Sequence, residues 1–83
     1  MQEWINSFMK NEVLQFGKKL RAVRIKKKLS QGDIARILGV HRSYISGLER
    51  GRRNPSLVTV HKVAKALGVS TNELLKAYKR QNS

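Results

Sequence analysis

The sequence predicts an all-α fold, a compact bundle of five helices. Along most of the chain apolar residues recur at spacings of three and four, as on the buried face of an amphipathic helix. Serines that can cap a helix precede several of these runs, and glycines follow them. No segment alternates apolar and polar residues as a strand does. Because 83 residues suffice for one domain, we expect a single core.

The chain begins with an N-terminal extension, residues 1–10, in which Trp4 and Phe8 lie at helical spacing. This extension can form a short helix that docks on the domain or on a second subunit, or it can be a mobile tail. The domain is expected over residues 11–79, followed by a frayed tail at residues 80–83.

The first full helix is expected from Glu12 to about Lys27. Its inner stripe consists of Val13, Phe16, Leu20 and Val23. The charged residues on its other faces should lie in solvent, namely Lys18, Lys19, Arg21 and Lys26. The basic run that ends the helix complements the helix dipole, and direct phosphate contact is the alternative role for it.

Two short helices joined by a tight turn, a helix-turn-helix, are expected at about residues 30–50. Ser30 can cap the first of them, with Asp33 at the positive end of the dipole. Gly39 ends it, because glycine adopts a left-handed backbone at little steric cost. The second, at about residues 41–50, turns Ile45 and Leu48 toward the core. Its outward residues are Arg42, Ser43, Tyr44 and Ser46.

Two further helices complete the bundle. Ser56 caps the fourth helix and Gly68 ends it. Its apolar residues are Leu57, Val60, Ala64 and Leu67. Ser70 and Glu73 form a capping box for the fifth helix. The apolar face of the fifth helix consists of Leu74, Leu75 and Tyr78.

Several residues of the helix-turn-helix match a known pattern, namely Gln31, Ala35, Gly39 and the run YISGLERG from Tyr44 to Gly51. In them the segment at about residues 16–75 resembles the lambda repressor and Cro superfamily, also called the XRE family. The resemblance implies a lambda-repressor-like fold and regulation of transcription by DNA binding. The run at residues 42–54 most resembles the small controller proteins of restriction-modification systems, and short phage repressors share much of it.

An α-helix fits the major groove of double-stranded DNA, where polar side chains can read base edges. Arg42 is the leading candidate for a base contact, because a guanidinium can donate two parallel hydrogen bonds to guanine. Ser43, Tyr44 and Ser46 can assist it. Gln31 lies at a helix N-terminus, which favours a phosphate contact. In the family the matching glutamine also braces the residue that is Arg42 here.

The loop after the recognition helix is basic and contains Arg50, Arg52, Arg53 and Asn54. In the resembling proteins this loop runs along the DNA backbone or returns to the groove edge. We therefore expect phosphate binding, with Arg53 and Asn54 also able to read a base. Glu49 would repel phosphate unless it were paired. The family commonly bonds this glutamate to an arginine of the first helix, which is Arg24 here.

One domain of this kind makes few base contacts, so we expect a homodimer on a palindromic operator. The resemblance assigns the dimer interface to the fifth helix, through Leu74, Leu75 and Tyr78, with the exposed side of the fourth. These leucines can instead close the monomer core, or one can serve each role. Repression follows from blocking a promoter, whereas activation needs a surface that contacts RNA polymerase.

The formal net charge is +13, which implies a polyanionic partner such as DNA, RNA or an anionic membrane. RNA modules rely on exposed aromatic residues, which are few here. The basic residues are spread over several helices, unlike those of a membrane-surface helix, so we expect no membrane partner. The remaining alternative is an antitoxin-like module whose main partner is a protein.

The sequence indicates neither catalysis nor a metal or cofactor. His41 and His61 lie far apart in the chain, with no cysteine and no clustered carboxylates. No nucleophile has an obvious base, and no glycine-rich phosphate loop precedes a lysine. Without cysteine or an apolar run of about 20 residues, the expected location is the cytoplasm.

Overall fold

A computed structural model describes residues 2–75 of the chain, and the side chains of residues 11–75. Within this part there are five helices and no strand, so the predicted all-α fold is confirmed. The helices are α1 (Gln2–Lys26), α2 (Gln31–Leu38), α3 (Arg42–Glu49), α4 (Leu57–Leu67) and α5 (Thr71–Leu74).

The first helix starts earlier than the sequence predicts. We expected a full helix from Glu12 with a separate extension before it, whereas α1 runs without a break from Gln2 to Lys26. Residues 2–10 contain neither glycine nor proline, so nothing in the backbone chemistry interrupts the helix there. The side chains of Trp4 and Phe8 lie outside the described part.

The helix starts follow the predicted capping chemistry. Ser30 Oγ accepts a hydrogen bond from the Asp33 N–H at 2.9 Å, and the Asp33 carboxylate accepts one from the Ser30 N–H at 2.8 Å. Ser56 caps α4 in the same manner, through the N–H of Thr59. At α5 the structure shows one bond of the predicted capping box, from the Glu73 N–H to Ser70 Oγ at 3.1 Å.

Four helix ends close with a residue in the left-handed conformation. Gly39, Gly51 and Gly68 have φ values of 71°, 73° and 73°, as glycine permits. The fourth is Lys28, which closes α1 with a φ of 61°. Its N–H bonds the Ile25 carbonyl at 2.9 Å, while the next residue bonds the Arg24 carbonyl at 3.1 Å. This paired pattern is a Schellman motif built on a residue with a Cβ.

The core is formed by one side of α1, α2, α3 and α4, closed by α5. Its buried apolar residues are Phe16, Leu20, Val23, Ile34, Ala35, Ile45, Leu48, Val60, Val63, Ala64, Leu67 and Leu74. One of the four periodic apolar residues of α4 lies outside the core: Leu57 is 80% exposed. It is the first residue of α4, whose contact with the core begins one turn later, at Val60.

Close backbone packing seats α3 on α1. Gly17 of α1 is buried, and a Cβ built on it would overlap the carbonyl oxygens of Leu48 and Glu49. Only glycine allows this approach of the two helices. The contact fixes the last turn of α3 against α1, and α2 also packs against α3. The position of α3 is therefore set by both neighbours.

Candidate nucleic-acid interface

The third helix is anchored on one side and open on the other. Ile45 and Leu48 have no exposed surface, so their side of α3 is fixed in the core. Arg42 and Ser43 are exposed, whereas Tyr44 and Ser46 are half-buried. The polar side of α3 therefore faces away from the core and carries donors and acceptors at its first turns. Tyr44 also packs against the edge of the core.

A polar groove of about 620 Å³ lies beside this side of α3. Its lining residues come from α1, α2, α3 and the residue after α3, and they are Arg21, Arg24, Gln31, Arg42, Ser43, Ser46, Glu49 and Arg50. Seven of these eight residues belong to the site that the sequence predicts. The eighth is Arg21, whose place in α1 indicated only that it lies in solvent.

A salt bridge between α1 and α3 forms the floor of this groove. Arg24 Nε donates to the Glu49 carboxylate at 2.6 Å, and a terminal nitrogen of Arg24 donates to its other oxygen at 3.0 Å. Arg24 also donates to the carbonyl oxygen of Leu29 at 2.9 Å. The Glu49 side chain is 3% exposed. Its hydrogen bonds to Arg24 raise the pKa of that guanidinium, against the opposing effect of burial.

Gln31 connects this buried pair to the start of α3. Its side-chain nitrogen donates to Glu49 at 3.0 Å, and its side-chain oxygen accepts from Arg42 Nε at 3.4 Å. The bond to a carboxylate fixes which end of the amide faces Arg42, because a carboxylate can only accept. The two terminal nitrogens of Arg42 have no hydrogen-bond partner among the described residues. They can donate as a pair to a ligand.

The loop after α3 folds back over the same helix. The Arg53 guanidinium carbon lies 5.8 Å from the centre of the Tyr44 ring. A Cβ on Gly47 would lie 2.8 Å from Arg53 Cγ, so the stem of Arg53 crosses α3 at the position where it has no side chain. Arg52 and Asn54 are exposed. Arg42 and Arg50 line the groove beside α3, and Arg53 lies across the helix, with the exposed Arg52 and Asn54 on either side of it in the chain.

The three predicted dimer residues lie in different surroundings. Leu74 is 1% exposed and fills the core, and Leu75 is half-buried against the core. Tyr78 lies outside the described residues. Large apolar side chains are exposed instead at the start of α4, where Leu57 and Val58 are 80% and 61% exposed. The dimer role of the fifth helix stays a prediction.

Metal binding and membrane insertion are two other roles against which the structure can be compared. No three histidine, aspartate or glutamate side chains in this range come together as metal ligands. His41 and His61 are both exposed; His41 directly precedes α3, and His61 lies within α4. None of the helices at residues 2–75 combines the length and apolar character needed to cross a bilayer.

An anchored helix with an outward polar side, preceded by a capped helix and a glycine turn, defines a helix-turn-helix DNA-binding domain. The family model described as "Helix-turn-helix" (HTH_3) matches residues 20–74. The chain belongs to this family and is a DNA-binding transcription regulator. The predicted resemblance is thereby confirmed.

Control proteins, one of them a restriction-modification controller, are among the similar proteins. Control protein C.BamHI of Bacillus amyloliquefaciens is 48% identical over 63 residues, which cover 75% of this chain and 78% of that protein. The crystal structure of the controller C.AhdI from Aeromonas hydrophila matches with a TM-score of 0.74 and 45% identity, covering 77% of this chain and 97% of the other. A phage repressor, RstR of Vibrio cholerae, is 37% identical over 60 residues, or 72% of this chain and 54% of its own.

Proposed function

We propose that the protein binds a palindromic operator as a homodimer, with α3 of each subunit in the major groove, and that it controls a restriction-modification system. The observation that carries the DNA-binding mode is the orientation of α3. Ile45 and Leu48 hold one side in the core, while Arg42, Ser43 and Ser46 face the open groove. This leaves the polar side of the helix accessible to a duplex.

Base reading is assigned to the first turns of α3. Arg42 donates its two terminal nitrogens to guanine, a contact worth about 1 to 3 kcal/mol of discrimination. Gln31 holds the Nε of Arg42, so the guanidinium plane is oriented before DNA arrives. Ser43 and Ser46 contact bases or phosphates nearby, and Tyr44 packs against a sugar or a thymine methyl group.

Phosphate binding is assigned to the residues around the helix. Arg50 lines the groove, Arg53 lies across α3, and Arg52 comes between them in the chain; none of the three has a carboxylate partner among residues 11–75. Gln31 opens α2, whose free N–H groups favour an anion. Asn54 adds a polar side chain to the same loop. These contacts fix the register on the duplex, and Arg53 with Asn54 reaches the groove edge.

Dimer formation follows from the small size of one reading helix. Two copies of α3 on half-sites about one helical turn apart double the number of base contacts. Leu75 and Tyr78 contribute to the interface, and the exposed Leu57 and Val58 add apolar surface from α4. Leu74 supports it from within the core.

The biological role is supported by C.AhdI, which is described as a restriction-modification controller protein, and by the control protein C.BamHI. The protein acts in the cytoplasm, where occupancy of a promoter blocks RNA polymerase. Contact with polymerase at an adjacent site would activate transcription instead. No catalytic activity is part of this role.

The test is selection from a random-sequence duplex library at physiological salt, followed by sequencing. We expect a palindromic consensus with half-sites about one helical turn apart. The Arg42→Ala variant should lose preference at one position in each half-site, whereas Lys62→Ala, which removes an exposed charge from α4, should leave the consensus unchanged. Uniform low retention of all duplexes would overturn the proposal and favour a protein partner.

A further inference from the structure

Two arginines of the polar groove, Arg21 and Arg24, belong to α1, a helix that the proposed function does not use for DNA contact. Arg21 is exposed and lines the groove together with Arg42, Ser43 and Arg50. It lies three residues, almost one helical turn, before Arg24, which is fixed by its bonds to Glu49. The base of the Arg21 side chain is therefore held at the edge of the groove by a rigid part of α1.

The charges around Arg21 leave it without compensation. Glu49 is the carboxylate that lines the groove, and its oxygens already accept hydrogen bonds from Arg24 and Gln31. Two other acidic residues pair elsewhere, Asp33 with Arg36 and Glu73 with Lys19. Arg21 has no ion-pair partner among residues 11–75. The groove therefore presents three guanidinium groups without an ion-pair partner among residues 11–75, those of Arg21, Arg42 and Arg50. Its one carboxylate, that of Glu49, is already paired.

We propose that Arg21 binds a backbone phosphate of the DNA duplex, so that α1 becomes a third DNA-contacting helix beside α2 and α3. This inference rests on the proposed function. A guanidinium donates two parallel hydrogen bonds to phosphate oxygens, which suits a side chain reaching the edge of a groove. A phosphate contact adds affinity and fixes register but carries no sequence information. Arg21 is therefore assigned to affinity, and Arg42 to base selection.

The experiment measures binding of the full chain to two labelled duplexes by fluorescence anisotropy, one with the selected operator and one of random sequence and equal length. Salt is varied from about 50 to about 200 mM, the range in which phosphate contacts dominate the change in affinity. The variants are Arg21→Gln, Arg21→Lys and the matched control Lys62→Gln. Lys62 is also exposed but lines a different groove, with Ile37 and Lys65.

For Arg21→Gln we expect the magnitude of the slope of log affinity against log salt to fall by about 1.8 on both duplexes, about 0.9 for each subunit of the homodimer. The affinity lost across this fourfold salt range should then be about twelvefold smaller than for the unchanged protein. Arg21→Lys and Lys62→Gln should keep the original slope, because the first retains the charge and the second lies outside the site.

Two results would overturn the assignment of Arg21. One is equal slopes for Arg21→Gln and Lys62→Gln, and the other is a loss confined to the operator duplex, which would indicate base reading. Failure of the proposed function is recognised separately, because the unchanged protein would then bind both duplexes alike. In that case the slope on the random duplex still decides whether Arg21 contacts phosphate.

Discussion

Arg24 and Glu49 join α1 to the last turn of α3 through two hydrogen bonds, the shorter of 2.6 Å. Their side chains are 12% and 3% exposed, so water screens the pair little. A pair of this kind fixes geometry, since removing both charges costs much less than removing one. Its place under the polar groove explains why it matters for function. It holds the end of α3 and, through Gln31, the start of the same helix.

The first prediction concerns this pair. Arg24→Met should lower the free energy of unfolding by about 3 kcal/mol, because the Glu49 carboxylate stays buried without its counter-charge. The double variant Arg24→Met, Glu49→Leu should recover most of the loss. Urea unfolding followed by circular dichroism measures both. An exposed ion pair contributes at most about 1 kcal/mol. If the free energy of unfolding of Arg24→Met lay within about 1 kcal/mol of the unchanged protein, this account would be contradicted.

The second prediction concerns the coupling of Gln31 to Arg42. If the amide of Gln31 orients the guanidinium, the effects of Gln31→Ala and Arg42→Ala on operator affinity should not add. A double-mutant cycle should give a coupling energy of about 1 kcal/mol. The control cycle pairs Gln31 with Arg52, which it does not contact, and should be additive within about 0.5 kcal/mol. Equal coupling energies in both cycles would show that Gln31 does not act specifically through Arg42.

The sequence predicts this fold well at positions where the chemistry of a residue type allows one structural role. Gly39 and Gly68 end helices as predicted, because glycine is the residue that enters the left-handed region at low cost. Leu57 fits the apolar spacing of α4 and is nevertheless exposed, because periodicity does not reveal where a helix first meets the core. Arg21 was placed in solvent correctly, but periodicity along α1 cannot indicate which solvent-facing residues border α3. That information comes from the packing at Gly17.

The third prediction tests the packing of α1 on α3. Gly17→Ala should lower the free energy of unfolding by about 3 kcal/mol, because the new methyl group overlaps backbone carbonyls that cannot move independently. The matched control is Gly32→Ala in α2. A Cβ there meets nothing closer than Ser30 Oγ at 3.6 Å, and alanine favours the helix by about 0.5 to 1 kcal/mol. Thermal unfolding of both variants should therefore shift in opposite directions. Similar shifts would argue against the close approach.

The fourth prediction concerns the Asp33 cap. The hydrogen bond from the Ser30 N–H is the largest cause that lowers the pKa of this carboxyl, followed by the bond with the Ser30 side chain. Because the folded-state pKa lies below the unfolded value, the contribution to stability is complete above the unfolded value, about 3.9. It is lost as the pH falls through the folded value. Unfolding at pH 2 to 5 should show a weaker pH dependence for Asp33→Asn, and an unchanged dependence would contradict the cap's role.

The last prediction concerns Lys28, the one closing residue with a Cβ among the four left-handed helix ends. A left-handed backbone costs a residue with a side chain about 1 to 2 kcal/mol, of which glycine's greater freedom in the unfolded chain offsets part. Lys28→Gly should therefore raise the free energy of unfolding by about 0.5 to 1 kcal/mol. Lys27→Gly provides the control, since Lys27 is not left-handed and glycine there should destabilise. Thermal melts compare the two, and equal destabilisation by both would mean that Lys28 is not strained. A rise in stability without loss of operator affinity would also show that DNA binding does not depend on the charge of Lys28, whereas a steep loss of affinity would assign this charge to phosphate.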